Sequence, residues 1–179
     1  MQQMIIEIMN SFGYFGITML IILENVFPPI PSEVILTFGG FMTTYTSLSP
    51  VGVIFFSTVG ATAGALILYY VGRLLPQERM EKIVDGKVGK VLGFKKDDVG
   101  KAVKWFDKKG IAAVFLCRCV PIVRSLISIP AGMSAMDMTK FVLYTFAGSL
   151  VWNTVLVFAG AAAGASWDKI AGVVDTYST

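Results

Sequence analysis

Four ionisable residues stand where an apolar chain has least use for charge: Glu24, Glu33, Arg118 and Arg124. The acids frame ENVFPPIPSE at 24–33, and the bases frame RCVPIVR at 118–124. Each type has its own chemistry. Arginine carries a planar fork of donors that stays charged and matches phosphate through paired hydrogen bonds. A glutamate answers to two opposed effects, because burial favours the neutral acid and a nearby arginine favours the carboxylate. A carboxyl balanced between them takes up and releases a proton as its surroundings change. The set therefore provides an anion clamp, Arg118 and Arg124, and a proton-coupling or gating site, Glu24 and Glu33. Each charge left unpaired in hydrocarbon would cost at least about 2.5–3.5 kcal/mol. The reading thus requires the two segments to meet, acids facing bases across a wet cavity. Two salt bridges that only lock the segments together are the plainer alternative. Buried ion pairs are weak devices for stability alone, which favours function. Asn25, Ser125 and Asn153 can add neutral hydrogen bonds or satisfy freed backbone groups.

The elements that must position these residues are those of a membrane protein. Of the 179 residues 55% are hydrophobic and only 15% charged, against about 45–50% and about 25% in soluble domains. Mean hydropathy is +0.70. No charge interrupts 34–72 or 141–167. Within these runs, 51–72 and 141–164 are long enough for helices that cross a bilayer, which takes roughly 20 residues. The segments carrying the four charges are too short for that: 16 uncharged residues precede Glu24 and eight precede Arg118. Pro28, Pro29, Pro31 and Pro121 break them, since proline removes a donor and ends a helix. Broken backbone at membrane depth is tolerated only inside protein or beside water. Each segment is therefore expected to form a re-entrant helical hairpin.

Between the halves, residues 73–109 hold 11 of the 15 Lys and Arg. Short basic loops stay in the cytoplasm. Val99, Val103 and Phe106, with Trp105 near the same face, predict an amphipathic helix. It either lies on the membrane surface or packs against a partner helix. With the connector inside, the first hairpin enters from outside and the second from the cytoplasm, so the halves are inverted. Gly60 and Gly72 recur 88 residues on as Gly148 and Gly160, and Gly16 and Glu24 align with Gly110 and Arg118. The expected architecture is an all-α integral membrane protein in one domain. Its parts are a first repeat at 10–72, a cytoplasmic basic connector at 73–109, a second repeat at 110–167 and a tail at 168–179. Inverted repeats of broken helices are the pattern of many secondary transporters.

The remaining residues narrow the chemistry. The chain has no histidine, so the commonest metal ligand and proton shuttle is absent and no metal or cofactor is expected. Lipid phosphatases that use histidine as nucleophile and acid are excluded, and the chain is read as a non-enzyme. Asp137 reads as the N-cap of the helix at 141–164. Cys117 and Cys119, two apart, point away from each other on a helix and read as apolar fillers. The N-terminus shows no positive n-region and does not read as a removable signal peptide.

ENVFPPIPSE at 24–33 and FLCRCVPIVRSLISIPAGMSAM at 115–136 closely resemble the DedA family, also called the VTT or SNARE-associated domain family, over about residues 10–167. The resemblance implies lipid transport: bacterial members flip undecaprenyl phosphate, the carrier recycled in cell-wall biogenesis, or phosphatidylethanolamine. It implies that Glu24, Glu33, Arg118 and Arg124 are the functional acids and bases. Family members usually continue into one more C-terminal apolar helix, which is expected to be absent here. The leading expectation is a bacterial cytoplasmic-membrane flippase of an anionic polyprenyl phosphate, with Glu24 and Glu33 coupling it to protons or gating the arginines. The alternatives are a phosphatidylethanolamine flippase or scramblase and a proton-coupled ion or drug exporter. Expected partners are the lipid phosphate and membrane lipids, with no nucleic acid; a homo-oligomer is left open.

Overall fold

A computed structural model describes residues 2–26, 32–75, 96–120 and 123–177, with side chains described over most of 12–166. Pro28, Pro29, Pro31 and Pro121, on which the expected breaks depend, lie outside the described residues, as does most of the basic connector, 76–95. Eight helices are described: α1 (Gln2–Val26), α2 (Ser32–Met42), α3 (Pro50–Leu74), α4 (Lys96–Lys109), α5 (Ile111–Cys117), α6 (Val123–Leu126), α7 (Ser128–Met133) and α8 (Met138–Tyr177). No strand occurs among the described residues.

Length sorts these helices. The 25 residues of α3 rise about 37 Å, and the apolar stretch 138–166 of α8 is longer still, so both exceed a hydrocarbon core of about 30 Å. The other apolar helices do not. α1 bends at Gly13, whose φ of 30° breaks the helix, leaving 14–26 at about 20 Å, and the 11 residues of α2 reach about 16 Å. α5 has seven residues. Helix α8 runs further than expected, to Tyr177 rather than 164: the Gly- and Ala-rich stretch 159–165 does not stop it.

The surface is inverted relative to a soluble protein. Phe15, Met19, Leu23 and Val26 form an exposed stripe along α1, and Leu143, Val151, Val155 and Phe158 another along α8. The buried set contains Glu24, Asn25, Ser57, Thr58, Arg118, Arg124, Ser125, Ser128, Thr145, Ser149 and Asn153. Apolar side chains outside and polar ones inside is the arrangement lipid imposes.

The chain forms two compact units. The first comprises 1–61 and 150–179, the second 62–149. In the first, α1 and α2 pack on each other around Ile17, Ile21, Leu36, Val53, Ile54 and Val157. In the second, Tyr69, Phe106, Val114, Cys117, Ile127, Ala131 and Phe141 form the core, with α4 against α7. Phe106 brings α4 into that core at 3% exposure while Trp105 faces outward. The amphipathic helix therefore packs against a neighbouring helix, the second of its two expected placements.

Each unit repeats the same internal contacts. In the first, a Cβ on Gly60 would lie 2.7 Å from the Thr18 carbonyl oxygen and 3.4 Å from Cβ of Ile21. In the second, a Cβ on Gly148 would lie 2.9 Å from the Phe115 carbonyl oxygen and 2.8 Å from Cβ of Arg118. A second pair of close approaches follows. Gly40 sits on the carbonyl of Val157 and Gly160 on that of Thr37, as Gly132 sits on the carbonyl of Tyr69 and Gly72 on that of Ile129. Glycine at such points lets helices approach to backbone contact. Gly13 and Gly110, both at positive φ, open the two segments.

These contacts set a register that differs from the expected one. Gly13, Thr18 and Ile21 correspond to Gly110, Phe115 and Arg118, all 97 residues on, while Thr37 and Gly40 correspond to Ile129 and Gly132, 92 on. Arg118 thus occupies the place of Ile21, not of Glu24. Between these matched contacts the first segment is five residues longer than the second, a difference that the alignment of Glu24 with Arg118 does not show.

Candidate functional site

Arg118 follows the last turn of α5, with its own φ and ψ still helical at −64° and −23°. That places its side chain on the face turned toward α8, where Gly148 leaves room for its stem. It is 0% exposed. Its Nη2 donates to Ser128 Oγ at 2.8 Å and to Thr145 Oγ1 at 3.5 Å. The equivalent position in the first unit holds Ile21, a core aliphatic that is also 0% exposed. A guanidinium stands where packing alone calls for an aliphatic side chain. Placing a charge there is expensive, and two hydroxyls hold one edge of the fork.

Arg124 lies on α6, one residue before Ser125, and is 1% exposed. From α6 the backbone runs on into α7, because Ile127 N donates to Val123 O and Ala131 N to Ile127 O. Ser125 is also buried. The second unit thus holds both arginines and Ser125, as expected, and adds Ser128 and Thr145.

The acids belong to the first unit. Glu24 is 5% exposed in the last turn of α1, and its Oε2 accepts from Asn25 Nδ2 at 3.3 Å. The same Asn25 nitrogen donates to Ile21 O at 3.1 Å, so Asn25 stitches the end of α1 to the Glu24 carboxylate. Glu33 is the second residue of α2, where the helix dipole favours an anion. Its Oε1 is buried and accepts no hydrogen bond among the described residues. Asn153, on α8, donates to Ser57 Oγ at 3.2 Å and Thr58 Oγ1 at 3.1 Å. It ties α8 to α3 inside the first unit.

Ser128 and Thr145 were not singled out from sequence. A signal existed for the second: Thr145, Ser149 and Asn153 recur every four residues within the uncharged stretch 141–167 of a helix, which is a polar stripe on an apolar rod. Ser128 offered only its three-residue spacing from Ser125.

The VTT domain family matches residues 30–162. The chain is 40% identical over 178 residues to undecaprenyl phosphate transporter A of Staphylococcus aureus, covering 99% of this chain and 87% of that protein. It is 33% identical to undecaprenyl phosphate transporter A of Bacillus subtilis, over 96% of this chain and 82% of that one. It is 58% identical over its whole length to an alkaline phosphatase-like protein of Lactococcus lactis, covering 84% of it. No solved structure gives a significant match. The chain belongs to the VTT domain family, the DedA family of helical membrane proteins.

Proposed function

We propose that the protein carries undecaprenyl phosphate, an anionic polyprenyl lipid phosphate, across the bacterial cytoplasmic membrane. Arg118 and Arg124 hold the phosphate while the tail stays in lipid between helices. Glu24 and Glu33 couple the cycle to protons or gate the arginines. One observation carries the reading: two arginines, 0% and 1% exposed, on a segment of short helices that cannot span a bilayer. Arginine suits this role because its fork stays charged and grips a phosphate monoester without an amine pocket. The relatives named as undecaprenyl phosphate transporters support the choice of lipid.

The matching close approaches in the two units support a duplicated architecture. Its orientation in the membrane follows from charge: with the connector 73–109 cytoplasmic, the repeats are inverted and each broken segment re-enters from its own side. A hydrolytic role finds no histidine to serve it, and Asp137 uses one carboxylate oxygen to cap α8 at Lys140 N, 3.0 Å away.

The test offers proteoliposomes undecaprenyl phosphate and phosphatidylethanolamine side by side. Selective movement of the polyprenyl phosphate supports the proposal. Selective movement of phosphatidylethanolamine, or of neither lipid, contradicts it. Sidedness is read by a cysteine at Lys87: modification from outside intact cells overturns the cytoplasmic connector.

A further inference from the structure

A second polar site lies in the 62–149 unit, apart from the buried arginines. Tyr70, Arg73, Ala135, Met136, Asp137 and Met138 line a groove with a cavity volume of about 670 Å³, a size that accommodates a small ligand. Its depth in the membrane follows from sequence. Arg73 is the first charge after the uncharged run 34–72, and Asp137 and Lys140 are the last before 141–167. The groove therefore sits where the two spanning helices leave hydrocarbon. Tyr70, half exposed on its rim, is the aromatic type that favours that level.

Two opposite charges face this groove, and no ion pair joins them. Each is held by another bond. Arg73 Nη1 donates to Tyr69 Oη at 2.8 Å, and Tyr69 Oη itself donates to the Met136 carbonyl. Asp137 Oδ1 accepts from Lys140 N at 3.0 Å, which leaves Oδ2 to the groove. Tyr70 Oη meets Met138 Sδ at 3.2 Å and fixes the wall between. The pair cannot collapse without breaking these contacts, so the groove presents a separated cation and anion at no further ordering cost.

We propose that this groove binds a phospholipid headgroup carrying a phosphate beside a primary amine. Arg73 takes the phosphate and Asp137 the ammonium group. Phosphate alone would meet repulsion from Asp137, and an amine alone would meet it from Arg73; a headgroup with both satisfies each. The ligand is a lipid bound at the membrane edge, distinct from the cargo assigned to Arg118 and Arg124.

Met136 and Met138 line the groove, so their methyl groups report on it directly. The full chain, methyl-labelled at methionine and purified in detergent, is titrated with dihexanoyl phosphatidylethanolamine, dihexanoyl phosphatidylglycerol and soluble O-phosphoethanolamine. The Met136 and Met138 signals, assigned with Met→Leu variants, should shift and saturate at least tenfold earlier with the ethanolamine lipid than with the glycerol lipid. Asp137→Asn keeps the helix cap, since asparagine caps as well as aspartate, and should abolish that preference. Arg73→Gln should weaken both lipids at least tenfold. Binding should persist in Arg118→Gln, so that the fate of the transport proposal does not decide this one. Methyl signals that do not move, equal affinity for both lipids, unchanged affinity in both groove variants, or loss of binding in Arg118→Gln would each overturn the proposal. Equal affinity for soluble O-phosphoethanolamine would overturn its assignment to a lipid.

Discussion

Gly132→Ala tests the packing of α7 against α3 in the second unit. A Cβ there would run into the Tyr69 carbonyl oxygen and lie 2.9 Å from Arg73 N and 3.0 Å from Tyr69 C. All three are backbone atoms of one turn of α3, so no side chain can swing aside. Ordinary contact begins near 3.4 Å, and α7 must therefore move off α3 by roughly 1 Å, against cores that resist such shifts at about 1–3 kcal/mol. Contact with rigid backbone puts Gly132→Ala at the upper end, about 3 kcal/mol. Gly110→Ala is the contrast. Nothing lies within 4 Å of its Cβ, and only the φ of 56° opposes it, worth about 1–2 kcal/mol. Gly40, which repeats the Gly132 contact against Val157, should behave like Gly132. Thermal unfolding of the purified protein in one detergent should show Gly40→Ala and Gly132→Ala lowered by about 6–12 °C, at about 2–4 °C per kcal/mol for a chain of this size. Gly110→Ala should fall clearly less. A Gly132→Ala protein that melts within 1 °C of wild type refutes the reasoning.

Three further outcomes follow from the same contacts. Asn153→Ala removes two hydrogen bonds between α8 and α3, but Ser57 and Thr58 keep theirs to the Ile54 carbonyl at 3.0 and 2.7 Å; the melting loss should correspond to about 1 kcal/mol. Asp137→Ala should cost about 1 kcal/mol through the lost cap and Asp137→Asn almost nothing, read in the same unfolding assay. If Glu33 couples transport to protons, flipping by wild type should follow an imposed pH gradient and Glu33→Gln should lose that dependence; a rate flat across gradients in wild type contradicts the coupling.

Much of this molecule is readable from particular residues. The uncharged runs 34–72 and 141–167 mark α3 and most of α8 because a bilayer tolerates few charges in a spanning helix. Asp137 caps α8 as its position implied. The burial of Glu24, Arg118 and Arg124 follows from their place in short apolar segments. The register of the repeat was not readable. Counting from Gly16 and Gly110 pairs Glu24 with Arg118, whereas the helix contacts pair Ile21 with Arg118, because a five-residue difference between the matched contacts leaves no trace in so weak an identity. The placement of α4 was also underdetermined. A face with Val103, Phe106 and Trp105 suits lipid and protein equally, and only tertiary packing selects Phe106 as the buried member. Ser128 escaped notice because a serine among apolar residues is common and its bond to Arg118 spans ten positions.

The central claim is that the buried arginines grip the phosphate. Translocation of undecaprenyl phosphate in proteoliposomes by wild type, Arg118→Gln and Arg124→Gln addresses it most directly, with elution and melting of each variant as the folding control. The account predicts folded variants whose rate falls at least tenfold. A folded variant that moves the lipid at the wild-type rate would contradict it.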